Sequence, residues 1–346
     1  MSITAANGQA SGSSLAGSSL KAALTVLRGA DKGTSANTAA GQPAAASDGP
    51  AVFVTLSVEA QAFMATTTAS KAGKTGNGGA GGPYAAYFPT RDGKPATALA
   101  KAVSDPGAVS SSAGLSGPAI AKDARARMDA QYEAMKAGGK PFDFDSFEGR
   151  DWYSLMGDLD RRSLEAVRSN AGGQFSKQEQ DIAQSIMAQQ EGLAMGLYNG
   201  PISQEASFVD PFRGDEAARR KANLTFLDAV GPEEKTSTEW ATRRASAQVS
   251  YEILTREKGE EPETLGSDNP LAALIKQAMD RSQSDPLRHI PKTPEELKTQ
   301  AWFKGFESQL DSAVAQNTAQ GIAQGIAQGI AQAKATTPPS GPAKPA

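Results

Sequence analysis

Six carboxylates crowd one short stretch of the chain: Asp143, Asp145, Glu148, Asp151, Asp158 and Asp160. Paired carboxylates can act as general acid and base, or hold magnesium, so a hydrolase would be sought here, at 143–160. Phe142, Phe144, Phe147 and Trp152 are interleaved among them. That pattern instead lays aromatics on a core and leaves acids in water, and Arg161 and Arg162 follow closely enough to neutralise part of the cluster. His289, in "DPLRHIPKTP", is the chain's one histidine, which excludes any two-histidine metal site. With no serine motif beside it, it reads as a solvated loop residue. Arg219–Arg220 and Arg243–Arg244 could grip an anion, but on acid-rich helices they are expected in i,i+4 pairs such as Glu239–Arg243. "GNGGAGG" at 76–82 lacks the Lys-Ser/Thr ending of a phosphate loop and reads as linker. The absence of cysteine removes disulfides, thiolate catalysis and cysteine-ligated metals. This reading assigns no catalytic residue, no cofactor-binding residue, no metal ligand and no cofactor.

A second stretch, "RSNAGGQFSKQE" at 168–179, carries the shape-setting residues of a calcium loop without most of its ligands. With Arg168 as position one, Gly173, Phe175, Ser176 and Glu179 fall at positions six, eight, nine and twelve. Leu164, Val167 and Met187 supply flanking apolar positions. The segment resembles a degenerate EF-hand helix-loop-helix over about 155–190, and the resemblance implies a paired helix-loop-helix. Calcium wants six to eight oxygens and several carboxylates. Here position one is a cation, position five is Gly172, and no second loop is present to pair with it. The expected role is therefore a corner between helices, with Ser176 and Glu179 forming a capping box.

The elements that must carry these residues are helical. Ile120, Ala124, Met128, Tyr132 and Met135 recur at three- and four-residue steps, predicting a helix from Pro118 to Lys136. Further helices are predicted over 158–169, 176–198, 215–230, 237–258, 270–281 and 294–315. "FDFDSF" alternates but is short and has no partner strand. The fold class is mostly α: an irregular helical domain of five to seven helices over 118–315, with Trp152 and Trp240 in its core. Before it, 1–117 is expected to be a disordered Ala/Gly/Ser-rich arm with transient helices around Leu20, Leu24 and Leu27 and around Phe63. After it, 316–346 holds three tandem GIAQ units and a Pro-rich tail expected to be disordered; the repeat is predicted to extend the last helix, with an oligomerisation segment as the alternative.

Over the whole chain of 346 residues, 39% are hydrophobic and the net charge is −3. That balance points to neither nucleic acid nor an anionic membrane as partner, and no apolar run approaches the ~20 residues of a membrane span. No Sec-type leader is evident, so a cytoplasmic location is expected, with export by an uncleaved route as the alternative. "VTLSVEAQAF" is similar to short V-x-L-S-x-x-A segments of some bacterial flagellar export and regulatory proteins. It carries over no site residue. The reading favours a non-enzymatic, bacterial-type protein acting through contacts with a protein partner of unknown identity. The alternatives are an EF-hand-derived regulatory or flagellum/secretion-associated protein, and a hydrolase using the acidic cluster.

Overall fold

Glycines, prolines and small polar caps divide the chain into short helical rods, and a computed structural model describes them over residues 82–282 and 289–336. The expected arm around Leu20 and Phe63, the "LSVEAQ" segment and the Pro-rich tail lie outside the described residues. Among those described there are eleven α-helices and no strand, a mostly α fold.

The helices are α1 (Thr97–Ser104), α2 (Pro118–Ala137), α3 (Arg150–Met156), α4 (Arg161–Arg168), α5 (Lys177–Ala194), α6 (Ile202–Glu205), α7 (Glu216–Ala229), α8 (Thr238–Glu257), α9 (Pro270–Ser282), α10 (Pro294–Lys298) and α11 (Glu307–Thr336). Side-chain caps start many of them. Asp160, Ser176, Asp215, Ser237 and Thr293 each accept a backbone N–H from the first turn, satisfying a donor that the helix itself leaves orphaned.

Two apolar clusters form the interior. The first gathers Leu99 and Val103 of α1, Ile120 and Met128 of α2, Leu155 of α3, Leu164 of α4 and Ile186 of α5. The second gathers Leu227 of α7, Trp240 of α8, Ile275 and Met279 of α9, and Leu310 of α11. Helix α8 is buried on almost every side, mostly through Ala, Ser and Thr, which lets α7 and α9 approach it closely.

Three sequence expectations need correction. The packed structure does not begin at 118. Phe88, Ala96, Leu99 and Val103 are buried in the first cluster, and α1 lies against α5. The Ala/Ser/Thr composition that suggests an arm is here the small-residue face of a packed helix. The helix predicted over 294–315 is broken into α10, a 3₁₀ turn at Ala301–Phe303, and α11. Gly305, at φ 92°, separates the 3₁₀ turn from α11, and Glu307 accepts the Gly305 N–H at 2.7 Å to start α11. Finally, Trp240 is 2% exposed, whereas Trp152 is only partly buried and donates its indole N–H to the Phe144 carbonyl at 2.7 Å.

Candidate functional site

The six clustered carboxylates do not converge; five of them take separate structural partners, and Asp145 is exposed. Asp151 accepts the Asp143 N–H at 2.9 Å and pairs with Arg91 at 3.0 Å. Asp143 accepts the Asp145 N–H at 3.0 Å. Glu148 accepts from the Ser203 backbone and hydroxyl, both at 2.9 Å, and Asp158 meets Arg127 at 3.2 Å. Asp160 caps α4 and ties down the 110–112 turn through the Ser110 and Ser112 N–H groups at 2.7 and 2.8 Å. Burial works against its charge, but those N–H donors outweigh burial and hold its carboxyl below the usual range. Among the described residues no group of three or more His, Cys, Asp or Glu is arranged to hold a metal ion. His289 is exposed, 3.9 Å from Glu296.

The 168–179 stretch forms a corner. Asn170, Gly172 and Gly173 all have positive φ (51°, 73° and 68°), a region that Gly and Asn enter most easily. Asn170 Oδ1 accepts the Phe175 N–H at 2.9 Å, turning the chain so that Phe175 enters the core. The capping box is present in both directions: Ser176 N–H donates to Glu179 at 2.7 Å, and Glu179 N–H donates to Ser176 Oγ at 3.3 Å. The same carboxylate accepts from Arg125 at 2.8 Å and from the Tyr132 hydroxyl at 3.0 Å. Burial raises its pKa, but Arg125 and the Ser176 N–H outweigh burial and hold it low.

Sequence reasoning missed the main polar feature of the interior. Charged side chains from α4 and α5 meet others from the 233–243 segment, joining the elements of the two apolar clusters. Arg161 grips Glu234 through two 2.8 Å hydrogen bonds, donates to the Met187 carbonyl and Gln190, and stacks on Phe226 at 4.8 Å. Arg162 pairs with Glu233, and Arg243 with Glu191. Arg168 chelates Glu165 at 2.7 and 2.9 Å and reaches Glu239 at 3.4 Å. The expected local pair Glu239–Arg243 gives way to these partners on other helices. Arg244 reaches off its helix to Asp228 at 2.8 and 2.9 Å while also holding Gln248 on the same helix at 2.7 Å, and Arg219 binds Asp210 at 2.7 Å together with Glu216 of its own helix at 3.0 Å. Burial pushes the Glu165 carboxyl up to about 7, with Glu234 adding repulsion and Arg168 opposing the rise. Glu234, buried as well, is instead held low by Arg161. Hydropathy offers no signal for these residues, because "DRRSLEAVR" and "GPEEKTSTEW" read as solvated surface.

The second missed feature is on the surface. The glycines of the GIAQ units face the body of the protein. A Cβ on Gly321 would collide with the Thr236 methyl; one on Gly325 would lie 3.3 Å from a Glu233 carboxylate oxygen; one on Gly329 would lie 3.5 Å from the Leu115 carbonyl. Thus α11 lies across both the 232–236 turn and the 115–116 segment. Asn317 pins it: buried, it accepts from Asn269 at 2.6 Å and donates to the Thr236 carbonyl at 3.0 Å. With the glycine row inward, Ile322, Ile326 and Ile330 point outward, 58%, 52% and 53% exposed. The repeat announces a four-residue row, but nothing in its spacing says which row faces in.

The described surface also carries two clefts. One, of about 230 Å³, lies between α11 and the 266–269 segment and is lined by Asp228, Lys235, Asn269, Asn317 and Gln324. The other, of about 610 Å³, lies between α8 and α9 beside Ile253. No described helix is long and apolar enough to cross a membrane. No protein-family model, curated protein or solved structure matches this chain.

Proposed function

We propose that this chain is a non-enzymatic helical protein that works through protein–protein contacts, and that the outward face of α11 is its contact surface. The observation that carries this reading is the row of three half-exposed isoleucines on a helix whose neighbouring side is fastened by Asn317 and by close-packed glycines. Exposed apolar side chains scattered singly are ordinary; a contiguous row on a fixed helix marks an interaction surface. The carboxylates at 143–160 give a hydrolase no support, since they do not converge and five of the six are engaged by separate structural partners.

The test is a photo-crosslinking amino acid placed at Ala327, on this face, and at Glu260, an exposed residue elsewhere, in the full chain in its own cell. The expected outcome is a discrete polypeptide adduct from position 327 and none from 260. No adduct at 327, or the same adducts from both positions, overturns the proposal.

A further inference from the structure

Building on that contact reading, we propose that the polypeptide covering the outward face of α11 is a second copy of the same chain, paired about a twofold axis through this helix. The face carries two adjacent rows. Ile322, Ile326 and Ile330 form a ridge of large side chains. Ala315, Ala319, Ala323, Ala327 and Ala331, all exposed, form a row of small ones. Each isoleucine sits beside the alanine three residues before it, since i,i+3 positions are surface neighbours on a helix. A ridge beside a groove on one helix is its own complement. A twofold axis lays each copy's isoleucine ridge over the other's alanine groove, the interdigitation of four-residue rows that helix pairs commonly use. Four-residue rows drift about 40° round the helix at each step, so the two copies meet where their rows cross and not along the whole length from Ala315 to Ala331.

Charge favours the same occupant. From Ser312 to Ala333 the chain holds no charged residue, so two copies meet without like-charge repulsion, and a partner selected by charge would find no countercharge. The face cannot turn inward, because the glycine side of α11 already lies against Pro232, Thr236 and Leu115. Its area is small beside the roughly 1,200–2,000 Å² of a standard stable interface. The pairing is therefore a concentration-dependent equilibrium and not a permanent dimer.

Sedimentation equilibrium of the full chain over about 1–500 μM, a range that brackets micromolar dissociation constants, tests this. The mass should rise from 35.8 kDa toward twice that value. Ile322→Gln/Ile326→Gln should weaken association by about tenfold or more, and Ala323→Glu/Ala327→Glu should abolish it. Since all four positions are exposed, each variant should keep the parent's helical circular dichroism and melting temperature, so loss of association reports the surface and not unfolding. A monomer at every concentration, or association unchanged in both variants, overturns the inference. A monomer whose Ala327 crosslinks to a different polypeptide overturns the self-pairing alone and leaves the contact reading standing. A monomer with no adduct removes both.

Discussion

Glu179 shows how one side chain's role is set by its neighbours. In a calcium loop the final carboxylate supplies two oxygens to the ion. Here one oxygen accepts the Ser176 N–H, and the other accepts from Arg125 and Tyr132. A cation arriving at this corner would have to displace a guanidinium from a carboxylate already held low. Millimolar calcium should therefore leave the melting temperature unchanged. Ser176→Ala should cost about 0.5–2 kcal/mol, the usual loss for a helix cap, equally with and without calcium. A calcium-dependent rise in melting temperature that disappears in Glu179→Gln would restore the metal reading.

At the scale of the element, α11 is made by contact more than by propensity. Glycine in a helix interior is about 1 kcal/mol less favourable than alanine, so the GIAQ units are poor helix formers alone. What they offer is close approach, and the three glycines are not equivalent. An added methyl at Gly321 meets the Thr236 side chain, which is β-branched and has little freedom to move. At Gly329 the same methyl finds only ordinary contact at 3.5 Å. Gly329→Ala should raise stability by up to about 1 kcal/mol. Gly321→Ala should lower it, because overpacking typically costs about 1–3 kcal/mol. Thermal unfolding of both variants checks the order; equal effects would mean that α11 does not rest on the 232–236 turn.

For the whole molecule, buried ion pairs such as Arg161–Glu234, Arg162–Glu233 and Arg243–Glu191 link the elements of the two apolar clusters. Buried pairs add little stability against apolar substitutes, but losing one partner strands a buried charge. Their pH dependence is specific. Glu165 holds its proton more tightly in the folded chain, near 7 against an ordinary 4.5. Its contribution to stability is therefore full below about pH 4.5 and is lost as pH rises through about 7. Asp160, Glu179 and Glu234 are held low; their contribution is present at neutral pH and is lost as pH falls through their depressed values. The two windows are separate. Between about pH 5 and 7, Glu165 should make the unfolding free energy fall by up to about 1.4 kcal/mol per pH unit. Glu165→Gln keeps the shape without the titration and should remove that slope in urea unfolding. An unchanged slope would place the titrating group elsewhere.

Caps, breakers and helical spacing were local properties, and they were legible. Pro118, the Ser176–Glu179 box, Ser237, Thr293 and the Ile120–Met135 stripe each state a helix within one or two turns of chain, because a cap or a stripe acts on residues three or four positions away. The 82–117 segment was not legible, since small residues look alike whether they pack against a helix or stay in water. The partners of Arg161, Arg162, Arg243 and Arg244 were not legible either. Their carboxylates lie 73, 71, 52 and 16 residues away along the chain, and a charge carries no sign of being buried until its partner is brought to it. The GIAQ repeat stands between these cases. Its sequence determined that glycines, isoleucines and alanines would form separate rows on a helix, and only the close approach of the Thr236 and Leu115 segments decided that the glycines turn inward and the isoleucines face out.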